Sequence, residues 1–207
     1  MTEKIAVRTF YALLVTLVIY CLLWQTIAAH FILPTYYYAR LIELLGIFLF
    51  ASLALLIPLR FEEMGIAVPL PLLFRSLALG LGAALLIIAL PSAAITLWRG
   101  MPLSAFFKAG TVARYTYFLV APLQEVLAKS VMYYSFELCF ERRHPHLANL
   151  LTALVFGLFH VVYGAPMMLL SMALSLATGW IFQKYRCVWG CAAMHFSIGF
   201  FYDCFAF

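Results

Sequence analysis

Long apolar stretches, parted by short charged or proline-containing turns, make up most of this chain, and their spacing predicts seven hydrophobic spans. The first runs from Thr9 to Leu33 and the second from Leu41 to Leu59. A turn with Pro58, Arg60, Glu62 and Glu63, then the segment VPLPLL, leads to the third, Leu72 to Leu97. Pro91 inside it is expected to kink or end that helix, because proline lacks the N–H that the helix needs. The fourth span covers Val112 to Phe140, and the turn ERRHPH parts it from the fifth, Leu147 to Tyr163. Gly164 and Pro166 break the chain before the sixth, Met167 to Phe182, and Lys184 and Arg186 precede the seventh, from Cys187 to the C-terminus. A helix needs about 20 apolar residues to cross a bilayer. The pattern therefore predicts an all-α, polytopic transmembrane bundle of about seven spans.

Composition supports this class. The chain is 67% hydrophobic and only 10% charged, far from the balance of a soluble domain. The net charge of +5 reports topology before it reports a partner, since Lys and Arg gather in cytoplasmic loops. With the N-terminus inside, the inner segments hold Lys4, Arg8, Arg60, Arg75, Arg142, Arg143, Lys184 and Arg186. The outer ones hold Arg40, Arg99, Lys108 and Arg114, so a cytoplasmic N-terminus is expected. The first span is long for a signal-peptide core and no small-x-small site follows it, so it reads as uncleaved. The expected location is a bacterial inner membrane or an ER-type membrane. No basic stripe suggests nucleic-acid binding. Cys21, Cys139, Cys187, Cys191 and Cys204 are odd in number and mostly within apolar segments, which suggests packing rather than a disulfide framework. Tyr36, Tyr37, Tyr38 and Trp98 read as interfacial aromatics.

Three ionisable side chains break the pattern: Glu125, His160 and His195 lie in three separate spans of the C-terminal half. Such groups are costly in hydrocarbon and usually face a bundle interior or watery cavity, where they mark function. Residues 112–207 are thus expected to hold the chemistry, while residues 1–111 carry helices without a specific motif. On the fourth span, APLQEVLAKSVMYYSFELCF, Glu125 and Lys129 are four apart and are expected to pair. Gln124 points about 100° away. On the fifth, LLTALVFGLFHVVYG, Phe156 and His160 share a face, and Gly157 allows a neighbour to approach. On the seventh, CVWGCAAMHFSIGFFYDCFAF, Gly199 lies one turn beyond His195 and Asp203 near the end. Plainer readings stand beside these. Glu125 with Lys129 can be a structural ion pair, Gln124 an interhelical hydrogen bond, Phe156 core packing and Asp203 an interfacial residue. Glu125, His160 and His195 could ligate a divalent metal such as zinc, although no HExxH-type spacing supports it.

The three segments, in this order, resemble the CPBP family of intramembrane proteases, also called the CAAX-protease or Abi family. Its pattern is EExxxR, then FxxxH, then HxxxN or HxxxD; here the strings are QEVLAK, FGLFH and HFSIG. The resemblance covers roughly residues 112 to 200. It implies peptide-bond hydrolysis within the membrane, on a membrane-anchored or lipidated protein. A glutamate, helped by histidine, would activate water, while the other histidine and the asparagine would hold the oxyanion. On that footing Glu125 activates water, His160 assists, His195 stabilises the oxyanion, and Gln124, Lys129, Phe156 and Gly199 support them. No cofactor is required. The chain departs from the pattern at Gln124, which cannot take a proton, at Lys129, which lacks the arginine fork, and at Gly199, which removes a polar group. The alternative is a catalytically inactive membrane scaffold or chaperone of the same fold; a transporter is disfavoured because no inverted repeat is visible.

Overall fold

The computed structural model describes residues 2–30, 44, 48, 49, 51, 52, 55, 60–102 and 112–204. The second expected span, the Tyr36–Tyr38 run, Arg40 and Lys108 lie almost wholly or wholly outside these. Among the described residues every regular element is helical. In chain order we name α1 (Thr2–His30), α2 (Leu70–Trp98), α3 (residues 112–139), α4 (Pro145–Leu158), α5 (Ala165–Tyr185) and α6 (Val188–Cys204). By length and composition, α2 and α5 are each long and apolar enough to cross a membrane. Val7–Leu23, Pro145–Leu158 and Val188–Phe200 are shorter apolar helices.

Polarity is arranged from the inside out. Phe10, Leu22, Phe74, Leu86, Leu169 and Trp180 are exposed, while Thr9, Thr16, Ser76, Asn149, Thr152, Ser171 and Ser175 are buried. A water-soluble monomer rarely exposes so much contiguous apolar surface. In lipid the outward Leu and Phe cost nothing, and buried hydroxyls and amides join helix to helix. Trp98 stands exposed at the end of α2, as an interfacial aromatic would. Of the cysteines, Cys187 and Cys191 are buried and Cys139 is half-buried, but Cys21 is exposed, so a packing role for all five is not what the fold shows.

Pro91 does not end α2. The chain passes through a wide π-helical turn at Leu85–Ala89 and continues as α-helix to Trp98. The Leu90 N–H reaches back five residues to the Leu85 carbonyl. A widened turn ahead of proline absorbs the donor that proline lacks. In α3 the order is reversed: Pro122 lies in the α-helical part, and a π-helical segment follows it at Val126–Tyr133.

α2 packs along α6, α3 along α6, and α4 along α5. The α2–α6 crossing is a backbone contact: a Cβ on Gly80 would collide with the Gly190 carbonyl, and one on Gly190 with Ser76. Small residues here let the helices meet without intervening side chains. Gly157 on α4 likewise accepts the Met172 side chain from α5, the close approach expected of it.

One end of the bundle is tied by charges. α3 closes with Glu141 and Arg142 both in the left-handed region (φ 51° and 61°), a conformation costly for residues other than glycine. Arg142 pairs with Glu63 at 2.7 Å, and the Tyr134 hydroxyl donates to the same carboxylate at 2.7 Å. Arg186, also left-handed, pairs with Glu137 at 2.7 Å and donates to the Glu63 carbonyl at 2.9 Å. The Val188 N–H and the Trp189 indole donate to the carbonyls of Gly65 and Ile66. The first turn of α6 is thereby fastened to residues 60–67.

Two expectations follow. Gly190→Val forces α2 and α6 apart and should destabilise the purified protein by about 2–3 kcal/mol, read as denaturant-induced unfolding in detergent. The Tyr134 hydrogen bond, then the Arg142 guanidinium, hold the Glu63 carboxyl below its usual value of 4.5. Its folded-state value is depressed, so its contribution is fully present above pH 4.5 and is lost as pH falls further. Glu63→Gln should therefore lower thermal stability at pH 7 and flatten the acid limb of the stability profile. An unchanged acid limb would overturn this.

Candidate active site

The fully buried Glu125 sits where α3 leaves regular α-helix and enters its π-helical segment. Such wide turns recur at functional sites because they redirect side chains inward. Its Oε1 accepts from His195 Nδ1 at 2.9 Å and from the Thr178 hydroxyl at 3.5 Å. Its Oε2 is buried with no hydrogen-bond partner. α3, α5 and α6 thus converge on one carboxylate.

Lys129 is equally buried, but the expected pair with Glu125 does not form. Its ammonium instead donates to the Ser175 carbonyl at 2.6 Å and the Ser175 hydroxyl at 2.8 Å, both on α5. The physical reason is availability: α5 offers two acceptors to a compact ammonium, and α6 offers Glu125 an imidazole. Each charge is satisfied across a helix interface rather than along its own helix.

His160 is not on a helix, which corrects the expected fifth span to Tyr163. α4 stops at Leu158, His160 follows in a turn, and Val161–Tyr163 form one 3₁₀ turn before Gly164 (φ +91°). The His160 N–H goes to the Gly157 carbonyl, and its ring Nδ1 takes the freed Phe156 carbonyl at 2.7 Å. The histidine therefore caps the end of α4 with its own side chain. A carbonyl can only accept, so Nδ1 carries the proton and Nε2 is left for other work. The Phe156 ring joins the two histidines, with centroids 4.7 Å from His160 and 5.9 Å from His195. The Tyr20 hydroxyl of α1 donates to the neighbouring Phe159 carbonyl at 2.8 Å, bracing this turn.

Gln124 is buried beside Glu125 on α3. Gly199 lies against the tip of Tyr117: a Cβ there would fall 2.5 Å from Tyr117 Cζ. The Asp203 side chain lies outside the described residues. Glu125, His160 and His195 do not form a three-ligand cluster, and among the described residues no group of three or more His, Cys, Asp or Glu does. A groove of about 480 Å³, lined by Leu73, Leu77, Phe118, Pro122, Trp189 and Phe196, opens between α2, α3 and α6. Pro122 and Phe196 place it beside Glu125 and His195 in the chain.

Three polar residues of the site escaped the sequence reading: Ser175, Thr178 and Tyr117. For the first two a signal exists. Ser171, Ser175 and Thr178 recur at helical spacing on an otherwise apolar segment, and all three are buried. Such a stripe marks an inward face. Nothing local marks Tyr117, which enters from a different helix.

With this geometry in view, the comparison with known families is decisive. The sequence model of the type II CAAX prenyl endopeptidase Rce1-like family matches residues 41–201. The chain belongs to the Rce1-like family. That match agrees with the CPBP resemblance and extends it upstream through α2 and the whole of the second expected span, from residue 41. The Rce1-like family is membrane-integral, in keeping with the apolar exterior. No curated protein and no solved structure matches the chain.

Removing the Lys129 ammonium takes from the buried Ser175 hydroxyl its cross-helix partner, while the Ser175 carbonyl keeps the Thr178 hydroxyl at 3.3 Å. Lys129→Met is expected to destabilise the protein by about 2–3 kcal/mol, measured by unfolding in detergent. Unchanged stability would show that the Ser175 contacts are dispensable.

Proposed function

We propose that this chain is a membrane-embedded endopeptidase that cleaves a membrane-anchored or lipidated protein near its anchor. The carrying observation is the buried contact between Glu125 and His195, which leaves Glu125 Oε2 unpartnered inside an apolar bundle. A buried polar atom without a partner is costly unless a ligand or water meets it. In this reading Glu125 Oε2 takes a proton from the attacking water as its oxygen bonds to the scissile carbonyl carbon. His160 assists through Nε2, its Nδ1 being held by Phe156. His195, with Nδ1 on the carboxylate and Nε2–H directed at the developing oxyanion, stabilises the tetrahedral intermediate in its doubly protonated form. Collapse breaks the C–N bond, and the proton held by Glu125 passes to the leaving amine. Gln124, Lys129 and Phe156 position these groups. The reading invokes no cofactor.

The apolar groove beside the pair suits a prenyl or acyl chain, which would present the adjacent peptide to Glu125. We further propose the seven-span arrangement, with a cytoplasmic N-terminus in a bacterial inner membrane or ER-type membrane. The family's description supports a prenylated substrate. Gln124 and Gly199 favour a second reading, a scaffold that keeps the cavity and cuts nothing.

New protein termini separate the two. Membranes from cells lacking the protein are compared with those expressing wild type, Glu125→Gln, His160→Ala or His195→Ala at matched levels. Termini present only with wild type support the protease, and each variant is expected to lose at least about 100-fold in rate. Equal termini in every lane, with folded protein, would overturn the protease and favour the scaffold. Gln124→Glu restores a second carboxylate and is expected to leave a working enzyme at least as active.

A further inference from the structure

Position 199 offers no side chain, yet the place where one would begin is filled. Gly199 lies four residues after His195, so both project from one face of α6. A Cβ on Gly199 would meet the Cε1, Cζ and hydroxyl oxygen of Tyr117, Cζ at 2.5 Å. Tyr117 arrives from α3, two turns before Glu125, and is half-buried. Its ring stands edge-on to His195, centroids 6.0 Å apart, and stacks near Phe196 at 6.2 Å. Both contacts hold the ring against α6. A phenol is an O–H donor that remains neutral at pH 7. The hydroxyl therefore stands on the His195 face of α6, where residue 199 would otherwise place its own polar group, and only glycine at 199 leaves room for it.

We propose that Tyr117 is a catalytic hydrogen-bond donor of this site: with His195, its hydroxyl holds the oxyanion that forms when water adds to the scissile carbonyl. This rests on the protease reading above. No bond to Tyr117 is made or broken, and its proton stays on the phenol throughout. The absence of a polar side chain at Gly199 is thus not a loss of the donor but its replacement from a neighbouring helix.

The test uses full-length protein in detergent or liposomes, with the substrate found from the wild-type-specific termini. Tyr117→Phe removes one oxygen and keeps the ring. Its kcat is expected to fall about 100-fold, with KM and the thermal midpoint little changed. Gly199→Ala keeps the hydroxyl but pushes it out of place, and is expected to lower kcat as well. Full activity in Tyr117→Phe overturns the donor role, whatever Gly199→Ala does. A rise in KM with kcat preserved overturns it too, because that marks ground-state packing. Wild type that cleaves nothing overturns the protease reading, and this role with it.

Discussion

A carboxylate buried in an apolar bundle has to be satisfied by what surrounds it, and Glu125 imposes that demand on three helices at once. Its Oε1 draws His195 from α6 and Thr178 from α5. One turn on, Lys129 draws Ser175 from α5. Removing a partner strands a charge in a medium that cannot solvate it. Contacts this short also require the helices to be close. Gly80 against Gly190 and Gly157 against Met172 supply that closeness, so the small residues and the polar core form one design. In lipid, where apolar surface does not drive helices together, such packing and interhelical hydrogen bonds carry the association.

The charged end of the bundle sets the register in which those groups meet. Glu63 gathers Arg142 and Tyr134, while Arg186 spans from Glu137 to the Glu63 carbonyl. The start of α6 is then held to the Gly65 and Ile66 carbonyls. His195 lies two turns along that helix, so a shift of one residue here would carry its imidazole away from Glu125. The left-handed backbone at Glu141, Arg142 and Arg186 marks where the turns tighten to make these pairs.

Much of this was legible in the order of residues, and the rest was hidden for definable reasons. Apolar runs located α2 and α5 well, because periodicity and length are local properties. The three ionisable residues stood out because hydrocarbon penalises them. His160 was misplaced on a helix, since FxxxH has helical spacing. Only the fold shows that the ring itself takes the Phe156 carbonyl and ends α4. The Glu125–Lys129 pair was inferred from spacing along one helix, but pairing across helices was stronger, and sequence spacing contains no information on that choice. Of the two outcomes expected at Pro91, an end to the helix does not occur: the π-helical turn before it is a relaxation of the backbone, not a residue type.

The departures at Gln124 and Lys129 make more sense together than apart. In the EExxxR pattern the arginine fork can hold both oxygens of the second carboxylate, which leaves the first glutamate as the freer group. Here the first position is Gln124, so a free carboxylate must come from Glu125 or be absent. A lysine cannot fork, and this one is committed to Ser175 on another helix. Glu125 therefore keeps Oε2 open. Exchanging arginine for lysine releases the very oxygen that exchanging glutamate for glutamine makes necessary. On the protease reading the base has moved by one residue along α3, at the point where the helix widens and a neighbouring side chain can turn inward. On this reading the two changes are compatible, and together they keep one buried, unpartnered carboxylate oxygen within the reach of two helices.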